Sequence, residues 1–89
     1  MNIQLGDRVR YRKGLISIFG RLRIKEFSET QEGMVCGVRN LSMARVEGML
    51  WEKGRRVYLV AQHMQDFDKV PEDFIEEVIP MKREYVVEK

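Results

Sequence analysis

The sequence holds few of the residues that covalent or metal chemistry requires. Cys36 is the only cysteine among 89 residues, so no internal disulfide forms and one chain cannot assemble a cysteine-based zinc site. A reducing, cytoplasmic setting is the expectation. His63 is the only histidine, and Ser17, Ser28 and Ser42 lack the Gly-x-Ser-x-Gly elbow of a serine nucleophile. Gly14 and Gly20 enclose five residues, yet Arg21 follows where a phosphate loop needs Gly-Lys-Ser/Thr. The longest apolar stretches, Leu15-Ile16-Ser17-Ile18-Phe19 and Val57-Tyr58-Leu59-Val60-Ala61, fall far short of the roughly 20 residues that cross a bilayer. The opening residues lack a basic, then apolar, signal pattern. An enzyme, a cofactor carrier and a membrane partner are therefore not expected.

What is present fits one small folded domain over residues 1–89, with 44% apolar and 34% charged residues. The net charge of +2 hides an uneven distribution. Residues 1–25 carry seven positive charges against Asp7, residues 26–60 balance, and residues 61–89 carry four positives against eight negatives. Such a basic N-terminal third either steers an anionic partner or pairs with the acidic third inside the fold.

Strand signals dominate. Val9 and Tyr11 alternate with Arg8, Arg10 and Arg12, which places two apolar groups on one face and three guanidinium groups on the other. Met34-Val35-Cys36-Gly37-Val38-Arg39 is continuously apolar up to its arginine and predicts a strand covered on both faces, with Gly37 at a bulge or a close backbone approach and Cys36 buried. Residues 40–42 and Lys53-Gly54 read as turns, residues 44–50 as a weaker strand, and Arg56-Val57-Tyr58-Leu59-Val60-Ala61 as the clearest strand. Residues 66–69 read as another turn. A short helical or 3₁₀ turn is expected near residues 71–77, opened by Pro71 with Glu72 and Asp73 at its amide-rich end. Pro80 halts it, and residues 81–89 form a loose tail or an edge strand.

Residues 15–27 support two patterns. As a helix, Leu15, Ile18, Phe19 and Leu22 form one stripe. As a strand, Ile16, Ile18, Leu22 and Ile24 share a face, with Arg21, Arg23 and Lys25 opposite. Three isoleucines and a central glycine favour the strand, as a hairpin bent at Gly20.

Short strands separated by turns suggest a small antiparallel barrel. The blocks Gly6-Asp7-Arg8-Val9-Arg10-Tyr11, Glu32-Gly33-Met34-Val35-Cys36-Gly37-Val38-Arg39, Val57-Tyr58-Leu59-Val60-Ala61 and Val70-Pro71-Glu72-Asp73 give the chain a likeness to a known group. It resembles small SH3-like barrel proteins of the short bacterial and bacteriophage type, mostly of unassigned role. The resemblance implies a mainly β single barrel acting as a binding module, and it transfers no catalytic residue. Residues 14–31 depart from it as an insertion, and extra material on a compact scaffold is a common place for function.

Two candidate surfaces follow. Arg8, Arg10 and Arg12 form a row with a spacing of about 7 Å, close to that of successive phosphates, and Arg21, Arg23 and Lys25 repeat it. These six are the candidate polyanion-binding residues, with Tyr11, Phe19 or Phe27 as stacking groups. Trp51, Met49 and Phe19 are the candidate protein-binding residues, since tryptophan anchors interfaces and methionine repacks easily. An indole closing the end of a barrel core is the plainer role for Trp51. His63, Asp66 and Asp68, and the carboxylates Glu72, Asp73, Glu76 and Glu77, are expected to be solvated turn residues rather than a cation site or an acid/base pair. The expectation is a non-enzymatic interaction module with a protein partner; the alternative is a nucleic-acid-binding barrel.

Overall fold

The alternation of Val9 and Tyr11 with three arginines produces a strand whose apolar members are fully buried and whose arginines are exposed. In the computed structural model this strand is β1 (Arg8–Ile18), followed by β2 (Arg21–Val46), β3 (Met49–Ala61), β4 (Phe67–Pro71), a 3₁₀ turn (Glu72–Phe74) and β5 (Ile75–Ile79). The structure describes residues 2–47, 49–62 and 67–80, and their side chains except at 41–44 and 50–54. The chain is mainly β. Its sheet runs β2-β3-β4-β1-β5 with every pairing antiparallel, and β1 also pairs with β2, so the sheet bends into a partial ring.

Two apolar clusters hold the ring. The larger joins Ile3, Val9, Tyr11, Val35, Tyr58, Val60, Val70 and Ile75, and the smaller joins Leu15, Val46 and Val57 with Leu22, Ile24 and Phe74 against them. Val57 and Tyr58 are sequence neighbours and so point to opposite faces of β3, which is how one strand serves both clusters. Phe74 packs on both. The 3₁₀ turn thus fixes a ring that joins the two.

The Gly6-Asp7 step seats the N-terminal segment. Gly6 takes a left-handed φ of 94°, the Gln4 N–H donates to the buried Asp7 carboxylate at 2.9 Å, and the Val35 N–H donates to the Asp7 carbonyl at 2.8 Å. A second polar knot closes the larger cluster. The Tyr11 phenol donates to Asp68 Oδ2 at 2.5 Å, and the Gln62 amide donates to Tyr11 Oη at 3.0 Å and to Gln31 Oε1 at 2.8 Å. Burial, with the Asp68 contact behind it, pushes the Tyr11 phenol well above its ordinary value. Asp68 is therefore part of the core's polar closure, while His63 and Asp66 lie outside the described residues.

Several expectations are corrected. Residues 15–27 are a hairpin, but its faces differ from those expected: Leu15 pairs with Ile24 and Ser17 with Leu22, whereas Ile16 and Ile18 sit opposite Arg23 and Arg21. The two-residue turn at Phe19-Gly20 sets this register, so Leu15, Leu22 and Ile24 face the smaller cluster and Ile18 is exposed. The stretch from Met34 is not covered on both faces, since Met34, Cys36 and Val38 are exposed. Cys36 lies at the irregularity between Val35 and Gly37 and turns outward instead of joining the core. Residues 40–42 and Lys53-Gly54 are not turns: β2 and β3 run through them, with an irregularity between Leu41 and Met43. The true reversal is the two-residue step between Val46 and Met49. Phe67 to Lys69 belong to β4, and the turn expected over 71–77 ends at Phe74, leaving Glu76 and Glu77 on β5.

Gly33 is the most closely packed of the described glycines, since a Cβ there would lie 2.6 Å from Val60 Cγ1 and 2.7 Å from the Ala61 carbonyl oxygen. Gly33→Ala is expected to lower the unfolding free energy by about 1–3 kcal/mol through overpacking, read from the urea midpoint. An unchanged midpoint would mean that β2 and β3 separate freely there.

Candidate binding surface at the hairpin ends

The basic N-terminal third splits into two parts with different fates. Arg10 sits directly opposite Glu32 on β2 and Glu77 on β5, and cross-strand pairs of opposite charge attract. Its guanidinium donates to Glu32 at 3.1 Å and to Glu77 at 3.0 Å, while Arg8 donates to the other Glu32 oxygen at 2.7 Å. Arg12 donates to the Ser28 carbonyl at 2.8 Å. The first arginine row is thus spent on the fold. The Arg8 hydrogen bond, then that of Arg10, holds the Glu32 carboxyl below the usual glutamate range, and the Glu32 hydrogen bond, then the Glu77 charge, raises Arg10. Asp73 is used likewise, accepting from Arg55 at 2.7 Å.

The second row keeps its charge. Arg21, Arg23 and Lys25 are exposed on the free arm of the β1–β2 hairpin, and none of them is paired with a carboxylate among the described residues. Lys25 lies over the Phe27 ring at 5.2 Å, and Phe27 meets Tyr11 edge to face at 5.9 Å between ring centres. That ring is therefore half-buried structure rather than a free stacking group. Tyr11 is fully buried and equally unavailable.

The β2–β3 hairpin brings a third arginine to the same place. At its turn Glu47 takes a left-handed φ of 51°, its N–H donates to the Leu22 carbonyl at 2.9 Å, and its carboxylate accepts from the Ile24 N–H at 3.0 Å. One residue thus binds the two hairpin arms together. Between them lies an open cleft of about 890 Å³ lined by Gly20, Arg21, Leu22, Arg23, Arg45 and Glu47. Three guanidinium groups border it, and its one acidic side chain among the described residues already serves the Ile24 amide.

The arm ends also carry apolar surface. Phe19 is 99% exposed and Met49 67% exposed. Phe19 opens a two-residue turn with φ 50°, followed by Gly20 at φ 76°. Paired positive φ values are the type I′ signature, which favours Asn-Gly and disfavours a bulky first residue. Trp51 stands opposite Ala44 in the β2–β3 ladder, and its side chain lies outside the described residues. Of the nine candidates, the structure brings Phe19, Arg21, Arg23 and Met49 to the hairpin ends and spends Arg8, Arg10 and Arg12 elsewhere. Sequence reasoning missed Arg45 and Glu47. The Glu47-Gly48 dipeptide is the available signal, and it lies within the 44–50 stretch whose pattern reads as a weaker strand.

No protein-family model, curated protein or solved structure matches this chain.

Two outcomes follow from these contacts. Glu47→Ala is expected to cost about 1 kcal/mol and to speed hydrogen exchange at the Ile24 amide, with Glu47→Gln retaining most of the protection; unchanged exchange would remove the clasp. Because the Glu32 carboxyl is depressed, its contribution is present above its ordinary value of 4.5 and is lost as pH falls through the lowered one. Melting temperature should therefore decline less steeply below that value in Glu32→Gln than in the parent, and added salt should narrow the difference.

Proposed function

We propose that this chain is a non-enzymatic interaction module, built on an SH3-like barrel, that binds a protein partner through the joined ends of its two hairpins. The observation that carries this is Phe19, an almost fully exposed aromatic held at φ 50°. A bulky residue there costs backbone strain that asparagine or glycine would avoid, and exposed phenyl surface earns nothing for folding. Such a site stores strain where a ring is needed outside. Met49 adds adaptable apolar surface on the adjoining hairpin, and Arg21, Arg23 and Arg45 supply positive charge beside it, which suits a partner with an apolar anchor pocket and an acidic rim.

A second reading, a nucleic-acid-binding barrel, rests on the three arginines around the cleft that have no carboxylate partner among the described residues. The paired state of Arg8 and Arg10 weighs against it, because two of the three arginines in the row that would have tracked a backbone are already matched with carboxylates.

Phe19→Asn separates function from stability. It should raise the melting temperature by a few degrees, through relief of about 1 kcal/mol of turn strain. A photo-crosslinking phenylalanine analogue at position 19 should trap a protein partner in cells of the source organism, and Phe19→Asn should abolish binding of that partner. Crosslinks to nucleic acid, or salt-sensitive binding of a labelled single strand that Arg21→Glu with Arg23→Glu abolishes, would favour the second reading. A lower melting temperature in Phe19→Asn would show the ring to be structural.

A further inference from the structure

A second site lies away from the hairpin ends, on the face of the β2–β3 ladder that carries Tyr58. Directly opposed residues in an antiparallel pair share a face, and alternate residues along a strand do too. Val38 opposes Tyr58, and Asn40 opposes Arg56, so these four side chains form one block. Ile3, Leu5 and Val35 close it into a groove of about 300 Å³, within the lower range of small-molecule pockets. Tyr58 is 2% exposed, and its hydroxyl is buried with no hydrogen-bond partner among the described residues.

That orphan hydroxyl calls for a partner, because a buried polar group left unpaired destabilises the folded state, and native proteins hold few of them. The groups around it define what fits. The Tyr58 phenol, the Arg56 guanidinium and the Asn40 amide all donate, and no carboxylate lines the groove among the described residues. Arg56 carries no ion pair among the described residues. Leu5 and Val38, 60% and 51% exposed, offer apolar walls that the core does not use. Three donor-bearing residues lining an otherwise apolar groove match an anionic head on an apolar body, with the planar guanidinium suited to a carboxylate fork.

We infer that this groove binds a small organic carboxylate, its head on Arg56, Asn40 and Tyr58 and its apolar body between Leu5 and Val38. The site is independent of the hairpin-end surface: it shares no residue with it, and occupancy here requires nothing of Phe19.

The test is an amide-shift titration of the full chain with benzoate, and with benzamide as its neutral twin. Benzoate is expected to shift the Val38, Asn40, Arg56 and Tyr58 amides saturably with a dissociation constant of a few millimolar, and benzamide to bind about tenfold more weakly. Arg56→Met and Tyr58→Phe should each weaken benzoate at least about fivefold. Tyr58→Phe should leave the melting temperature unchanged or higher, since its hydroxyl has no partner to lose, and Phe19→Asn should leave benzoate binding intact. Absence of saturable shifts, equal binding of benzamide, parent-like benzoate binding by Tyr58→Phe, or a melting temperature several degrees lower in that variant would each overturn the assignment.

Discussion

The length of β2 constrains everything else. At about 3.3 Å per residue, 26 residues in straight extension would reach about 85 Å, while the longest dimension of the molecule is 57 Å. The strand must bend, and it does so at three places. Residues 27–30 face the single residue Arg12 between the Tyr11 and Lys13 pairings, and further irregularities fall between Val35 and Gly37 and between Leu41 and Met43. Each bend re-aims the ladder, until the two ends of one strand meet and Glu47 hydrogen-bonds to Leu22 and Ile24. The partial ring, the smaller apolar cluster and the cleft all follow from that return.

The same geometry decides which charges stay available. Where β1 is flanked by β2 and β5, arginines meet carboxylates at directly opposed positions, as Arg10 meets Glu32 and Glu77. Exposed pairs of this kind add little stability, but they neutralise the face they occupy. The arm from Lys13 to Glu26 extends past β5 and gains only one pairing with β4, at Leu15. No cross-strand carboxylate stands opposite Arg21 or Arg23, whose partners are Ile18 and Ile16. Charge therefore survives at the hairpin ends because the sheet stops short of them.

How much of this could be read from residues alone depended on whether a local pattern had one structural meaning. The alternation in Arg8-Val9-Arg10-Tyr11-Arg12 had one, and β1 follows it; so did Pro71-Glu72-Asp73, which opens the 3₁₀ turn. Turn-forming residues had two. Residues 40–42 and Lys53-Gly54 lie across from each other in the ladder, near the pairs Leu41–Arg55 and Met43–Glu52. Both signals mark one shared irregularity, because residues that reverse a chain also kink a strand that continues. The hairpin faces failed for a different reason: a two-residue turn fixes which residues are opposed, so counting along the chain through Gly20 puts Leu22 on the wrong side. The candidate surface was half visible. Alternation along the strand marks Arg21 and Arg23, and Phe19 stands beside them in the chain, but Arg45 joins them only because β2 returns on itself, a contact more than twenty residues distant in sequence.

Rigidity at the hairpin ends bears on how they bind. An isolated two-stranded arm is marginal in water, and a flexible tip would lose ordering entropy on engaging a partner. Here each arm is held twice. Leu22 and Ile24 from one arm and Val46 from the other pack in the same apolar cluster, and Glu47 joins the backbones directly. The Phe19 turn is thus presented from a braced support, with its ring left outside every cluster. Bracing an arm while leaving its most apolar residue in water makes sense only if the cost of ordering is met within the fold, so that burial of the ring against a partner is not offset by stiffening the arm.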